Sequence, residues 1–147
     1  MTDFVLDNSV SMRWHLESEK AADQKYAEYV LLSLTEADAL VPNLWHLEAV
    51  NVLLGAEKRG ETSLGEVERF IAQLEGLPLH IDPLTAIQSF SRTMALARAY
   101  KLSSYDAAYL ELALREGLPI ATQDKDLVKA AKKADVCLYL KSKVDKK

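Results

Sequence analysis

Residues 103–127, SSYDAAYLELALREGLPIATQDKDL, predict a helix, a strand and a second helix in direct succession. The predicted bounds are Tyr105–Glu116 for the first helix, Pro119–Ala121 for the strand and Lys125–Ala134 for the second helix. Ser103 or Ser104 can cap the first helix, and Gly117 suits its end. Asp124 can cap the second helix. Because parallel strands need crossover connections, usually helices, this stretch predicts one unit of a parallel α/β fold.

The same alternation of short apolar runs and helical patterns extends over the rest of the chain. Further strands are predicted at Phe4–Leu6, Ala39–Val41, Leu79–Ile81 and Val136–Leu140. Further helices are predicted at Val10–Leu16, at Ala21–Leu34, from Asn43 to about Gly60, from a Ser63 and Glu66 capping box through Leu74, and at Leu84–Tyr100. Strands that alternate with helices indicate a parallel sheet covered on both faces. The predicted class is therefore three-layer α/β/α.

Length and composition predict a single domain. The chain has 147 residues, of which 49% are hydrophobic, which is enough material for one core. We assign residues 1–140 to this domain and residues 141–147 to a lysine-rich tail that is predicted to be disordered. The net charge of −4 argues against nucleic-acid binding through an overall positive field, although local basic patches remain.

The chain is predicted to be a soluble cytoplasmic protein. Cys137 is the only cysteine, so no intrachain disulfide can form, and its neighbours Val136 and Leu138 predict that it is buried in a strand. The apolar run near the N-terminus is too short for a signal peptide or a membrane span.

Four carboxylates, Asp7, Glu48, Asp106 and Asp124, lie where predicted strands meet helices or near the first turns of helices. In a parallel α/β fold such positions meet at the edge of the sheet where the strands end. Acids that are close together raise one another's pKa values unless a cation binds between them. The pattern therefore predicts a divalent metal ion.

Each of the four acids also has a simpler explanation. Asp7 and Asp124 could be helix N-caps, and Asp106 could complete a capping box with Ser103. Glu48 could face solvent from a narrow polar stripe on a helix whose other sides are apolar. Independent caps need not converge on one place, whereas metal ligands must.

The helix pattern separates Asp106 from the other acids. Glu111 and Arg115 mark the predicted solvent face of its helix, and Asp106 projects from the opposite side. An inward ionised carboxylate needs a partner, which favours the metal-site hypothesis for this residue.

Four motifs taken together resemble the PIN domain, and more narrowly the VapC-type toxins of prokaryotic toxin-antitoxin pairs. They are VLDNS at 5–9, PNLWHLEAVNVL at 42–53, SSYDAAYLELA at 103–113 and LPIATQDKDL at 118–127. The resemblance covers nearly the whole chain in order and spacing, and no acid of the family pattern is missing.

This resemblance implies a parallel sheet of about five strands and an endoribonuclease that depends on Mg²⁺ or Mn²⁺. It implies cleavage of structured RNA such as transfer or ribosomal RNA, inhibition by a small cognate antitoxin protein, and homodimers; no membrane or direct DNA contact is expected. Asp7, Glu48, Asp106 and Asp124 would be the catalytic and metal-binding residues, with Ser9, Asn51, Thr122 and Asp126 in supporting positions. Exposed apolar groups on helices Ala21–Leu34 and Leu64–Leu74 would suit a dimer or antitoxin surface.

Binding of RNA beside an acidic pocket requires the metal ions and nearby cations. Arg13 and Lys125 are the candidate RNA-binding residues, as cations expected near the acids, and Lys58 is a further candidate.

Other classes of function have less support. The three histidines lack metal-ligand spacing, and the chain has neither a Gly-x-Ser-x-Gly elbow nor a phosphate-binding glycine motif. A signalling receiver domain would need a phosphoacceptor Asp after a central strand, which residues 39–43 do not supply. A catalytically silent binding domain is the remaining alternative, and the complete set of acids argues against it.

Overall fold

The computed structural model of the protein describes residues 3–141. Its strands are β1 (Phe4–Leu6), β2 (Ala39–Val41), β3 (Leu79–Ile81) and β4 (Ile120–Ala121). Its α-helices are α1 (Asn8–Ser11), α2 (Ala21–Ser33), α3 (Trp45–Lys58), α4 (Leu64–Glu75), α5 (Thr85–Gln88), α6 (Met94–Tyr100), α7 (Ser104–Glu116) and α8 (Lys125–Lys133). A 3₁₀ turn, Met12–Trp14, extends α1, and a π-helical turn, Ser89–Thr93, joins α5 to α6.

The four strands form one parallel sheet in the order β3-β2-β1-β4. Val5 pairs with Leu40 on one side and with Ile120 on the other, so β1 is central. All three residues of β1 are fully buried, as the two-sided covering of a parallel sheet requires. The predicted α/β class with a parallel sheet is confirmed.

The predicted fifth strand, Val136–Leu140, is present only as an isolated parallel bridge between Leu138 and Ile120. Asp135 and Leu140, on either side of the bridge, have left-handed backbone angles, with φ of 59° and 57°. These turns leave too little extended chain for a strand. Cys137 in this segment is exposed, which corrects the prediction that it is buried in a strand.

Helix ends follow local sequence closely. Ser63 and Ser103 accept hydrogen bonds from the backbone N–H groups of Glu66 and Asp106, as N-caps do. Gly117 ends α7 with a φ of 65°, a conformation that glycine adopts without strain. Asn43 does not cap α3, which begins at Trp45.

Two further burial predictions are wrong. The apolar sides of helix α3 predicted burial on both flanks, but Leu47 is 73% exposed and Leu54 is 49% exposed. Glu111 does not face solvent: it is only 1% exposed and accepts two hydrogen bonds from Arg115. Helix α7 is the central helix of the fold, with every residue from Ala107 to Ala113 buried.

No helix within residues 3–141 is long and apolar enough to span a membrane. Of the lysine-rich tail predicted at 141–147, all but Lys141 lies outside the described residues.

Candidate active site

The candidate site lies at the edge of the sheet where β1 and β4 end. The Asp7 N–H donates to the Ala121 carbonyl over 3.0 Å, which aligns the ends of the two strands. Asp7 therefore follows β1 beside Thr122, the residue that follows β4. The next strand in the chain, β2, lies on one side of β1, and β4 lies on the other side. Connections that diverge in this way leave a crevice at the ends of the strands, where open α/β sheets bind ligands.

Asp7 is a buried carboxylate held by two hydroxyl groups. Its Oδ2 accepts hydrogen bonds from Ser9 Oγ over 2.6 Å and from Thr122 Oγ1 over 2.8 Å. Burial raises the pKa of Asp7, these hydrogen bonds oppose the rise, and the nearby charge of Asp124 adds to it. The side chain does not cap α1, so the N-cap explanation for Asp7 is wrong.

Ser9 and Thr122 also fix the loop that carries Asp124. The backbone N–H of Gln123 donates to Ser9 Oγ over 2.8 Å, and that of Asp124 donates to Thr122 Oγ1 over 3.1 Å. Asp124 Oδ1 accepts from the Leu127 N–H over 3.0 Å, so Asp124 is the N-cap of α8 as well as a neighbour of the other acids. The two hydroxyls thus hold the positions of two acids at once.

Glu48, in the first turn of α3, lies close to Asp7 and Asp106. Its Oε1 accepts a hydrogen bond of 2.6 Å from the Tyr109 hydroxyl. Burial raises the pKa of Glu48, the Tyr109 bond lowers it, and the charge of Asp7 raises it further. Burial also raises the pKa of Tyr109 far above its usual value, so its hydroxyl stays protonated and remains a donor.

Asp106 is the least compensated acid of the four. Its backbone N–H binds Ser103, but within residues 3–141 its carboxylate has no hydrogen-bond or ion-pair partner, so only half of a capping box forms. Burial and then the charges of Asp124, Asp7 and Glu48 raise its pKa to about 7. All four predicted acids therefore converge closely enough to interact electrostatically.

The donor chemistry of this cluster fits a hard cation such as Mg²⁺, because it consists of carboxylate oxygens with no cationic side chain paired to them in the described part of the chain. It is not a preformed cage: within residues 3–141 no three His, Cys, Asp or Glu side chains are placed to hold an ion together. Mg²⁺ is usually bound by one or two carboxylates, with waters and substrate phosphate completing its shell, so a cage is not required.

The remaining predicted residues are placed less centrally. Asp126 is exposed, yet its charge contributes to the raised pKa of Asp106. Asn51 is exposed on α3, and its side chain makes no hydrogen bond within the described chain. Lys125 is exposed at the start of α8. Arg13 is half-buried beside Ser9, and its Nε has no hydrogen-bond partner within residues 3–141.

Sequence reasoning missed Tyr109 and undervalued Asn8. Tyr109 lies three residues after Asp106, on the same side of α7, and this spacing could have identified it. Asn8 donates to the Trp45 carbonyl over 2.8 Å, which ties the start of α3 to α1 and so helps to position Glu48. No short-range pattern indicates that contact, because 37 residues separate the two groups.

Comparison with protein families decides the relationship, since the PIN domain model matches residues 4–133, a span that contains all four acids. The chain belongs to the PIN domain family. PIN domains are generally nucleases that use divalent metal ions. No curated protein sequence matches this PIN domain.

Among solved structures, the crystal structure of PAE2754 from Pyrobaculum aerophilum is similar, with a TM-score of 0.67 and 20% sequence identity. The match covers 99% of this PIN domain and 97% of the other chain. At this level of identity the similarity demonstrates the shared fold.

Proposed function

We propose that this PIN domain is an endoribonuclease that depends on Mg²⁺ or Mn²⁺ and acts as a VapC-type toxin. The observation that carries the proposal is the uncompensated acid cluster: Asp106, with a pKa of about 7, lies in the field of three other acids and has no cationic partner in the described chain. The surrounding structure holds these charges together at a cost in stability, which a bound divalent cation would remove.

A bound ion would polarise the scissile phosphate and lower the pKa of a coordinated water. Asp7, Asp106 and Asp124 would hold it in part through coordinated waters, because no three acids within residues 3–141 are placed to ligate one ion directly, and Glu48 would share it or help to hold a second ion. Ser9 and Thr122 orient the Asp7 carboxylate, because both hydroxyls donate to its Oδ2. Tyr109 orients Glu48 in the same way through one short hydrogen bond.

The substrate is proposed to be structured RNA, either transfer or ribosomal RNA. With a net charge of −4 the chain must bind RNA through local cations and the metal. The proposed cations are Lys125, which directly follows Asp124, and Arg13, which lies beside Ser9. A small cognate antitoxin is proposed to block the site, and the protein is proposed to act as a homodimer. Large exposed apolar side chains, among them Phe90 at 90% and Leu47 at 73%, support protein-protein contacts of this kind.

The test is incubation of the antitoxin-free protein with total cellular RNA in Mg²⁺, in Mn²⁺ or in chelator, followed by sequencing of the new 5′ ends. We expect ends that carry a 5′-phosphate, that need the metal, and that fall in a small set of RNAs. Asp7→Asn and Asp106→Asn should each lower the rate by a factor of about 10² or more. Each removes a carboxylate that would hold the ion, and the ion would stabilise the transition state.

The matched control is Glu68→Gln, which neutralises an exposed carboxylate on α4 and should retain the parent rate. Circular dichroism establishes that each variant is folded. A folded Asp7→Asn and Asp106→Asn pair that cut at the parent rate would refute the site. The absence of metal-dependent ends from every RNA in the pool would instead favour a silent or regulatory domain.

A further inference from the structure

Outside the acid cluster, a polar cavity of about 340 Å³ lies between the end of α6 and helix α8. Three lysines line it, Lys101, Lys129 and Lys133, together with Tyr100 and Asp126. We call this cavity the lysine pocket. Its lysines exceed its acid by two charges, in contrast to the neighbouring acid cluster.

The backbone explains why the three lysines meet. Lys129 and Lys133 are four residues apart on α8, so they lie on one face of that helix. Lys101 ends α6 in the left-handed conformation, with a φ of 55°, and reaches the pocket from the opposite wall. Like charges at this helical spacing repel each other, and none of the three lysines has an ion-pair partner within residues 3–141. A bound anion would relieve the repulsion.

The lysine pocket adjoins the acid cluster. Asp126 lines the pocket and lies two residues after Asp124, at the start of the same helix. A ligand that runs from one site into the other must offer anionic groups to the lysines and oxygen ligands to a metal among the acids. A phosphodiester chain offers both at regular intervals, because every linkage carries the same negatively charged phosphate.

We propose that the lysine pocket binds the phosphodiester backbone of a single-stranded nucleic acid, on one side of the bond held at the acid cluster. That the bound strand continues from the lysine pocket to the acid cluster rests on the proposed nuclease function. The protein has a net charge of −4, so local contacts of this kind supply the attraction that its overall field does not. The lysines bind phosphate and carry no base specificity.

The test measures binding without cleavage. The full chain is titrated, in chelator and over a range of salt concentrations, against a fluorescent single-stranded RNA and a DNA of the same sequence, and anisotropy is recorded. A triple variant carries Lys101→Asn, Lys129→Gln and Lys133→Gln, in which asparagine tolerates the left-handed backbone at 101. Each single-strand phosphate contact contributes about 0.7 to the slope of log affinity against log salt, so the variant should lose about 2 from that slope. Its affinity at moderate salt should fall at least about ten-fold.

A charge-matched control carries Lys20→Gln, Lys25→Gln and Arg69→Gln, all of them exposed and outside the pocket. This control should keep most of the parent's slope of log affinity against log salt. Melting curves establish that both triple variants are folded. Equal losses in the two variants would overturn the proposal, because net charge alone would explain them. Undetectable binding of either strand by the parent protein, or binding of polyglutamate as tight as that of RNA, would also overturn it.

Equal affinities for RNA and DNA would support contacts with phosphate alone. Tighter binding of RNA would identify RNA as the ligand of the lysine pocket. If the parent protein binds RNA through the pocket but never cuts it, only the nuclease proposal fails. If it cuts RNA and the pocket variant has an unchanged KM and an unchanged salt slope, only the pocket proposal fails.

Discussion

Asp106 shows at the scale of one residue how this chain combines local structure with an unfavourable charge. Its backbone N–H is satisfied by the Ser103 cap, while its carboxylate has no partner among residues 3–141. A carboxylate at the third position of a helix normally interacts favourably with the helix dipole. Here, burial and four neighbouring acids outweigh that benefit and raise the pKa to about 7.

Asp106→Asn should therefore change how the stability of the metal-free protein depends on pH. The folded-state pKa of about 7 lies above the ordinary value of 3.8, so between these values the folded protein keeps a proton that the unfolded chain loses. The free energy of unfolding of the parent protein consequently falls as pH rises from 3.8 toward 7, and the raised pKa values of Asp7 and Glu48 act in the same direction.

The measurement is thermal melting in chelator at several pH values. Relative to the parent, the free energy of unfolding of Asp106→Asn should rise by about 1 kcal/mol between acid and neutral pH, after allowance for the partial exposure of this side chain. This corresponds to roughly 2–4 °C in Tm. Glu68→Gln on the surface serves as the control. A difference between Asp106→Asn and parent that stays constant with pH would contradict the raised pKa.

At the scale of elements, an ion cluster joins the end of β3 to helix α7. Arg115 donates to Asp82 through Nη1 over 3.1 Å and through Nη2 over 2.6 Å, and it donates to both oxygens of Glu111 over 2.9 Å. Glu111 and Asp82 are 1% and 5% exposed, so Asp82 depends on Arg115 for compensation, and Glu111 depends on Arg115 and on a longer contact of 3.8 Å with Arg92. Thr85 adds a hydrogen bond to Asp82 at the start of α5.

Arg115→Met should destabilise the protein by about 3–5 kcal/mol, because it leaves the buried Asp82 without its cation and leaves Glu111 with only the longer Arg92 contact. Urea unfolding measures the loss. Arg59→Met is the matched control, since Arg59 pairs with Glu61 on the surface and such pairs contribute little to stability. Equal losses in the two variants would show that the cluster is not buried as described.

At the scale of the whole molecule, large exposed apolar side chains lie on the two helices predicted to carry a protein-protein surface and also outside them. Leu32 and Leu64, on the two helices expected to carry it, are 65% and 68% exposed. Ile87 and Phe90 are 71% and 90% exposed and lie three residues apart on the continuous helix formed by α5, the π turn and α6. Phe90 is the most exposed large apolar side chain in the described chain, which makes this pair the first candidate for an apolar contact.

The proposed homodimer should therefore depend on Ile87 and Phe90. The double variant Ile87→Ser with Phe90→Ser should sediment as a monomer at concentrations where the parent sediments as a dimer, because it removes apolar area that association would bury. Leu32→Ser is the control and should leave the dimer intact. A parent protein that is monomeric at every concentration would refute the homodimer itself.

The amino-acid sequence by itself determined the α/β class, the order of strands and helices, the caps at Ser63, Ser103 and Asp124, and the four candidate acids. These features depend on local hydrophobic spacing, on residues at helix ends and on the rule that parallel strands end at one edge, all of which can be recognised in the chain.

Only the tertiary structure decided which helix faces are covered and which distant groups meet. Glu111 was expected to be exposed and is buried, because β3 and the chain after it bring Asp82 against α7. Tyr109 binds Glu48 across 61 residues of sequence. Segment 136–140 reaches the sheet with a single bridge, because the left-handed turns at Asp135 and Leu140 limit its extended length. Local preference determines what a segment can form, and burial against neighbours determines what each side chain meets.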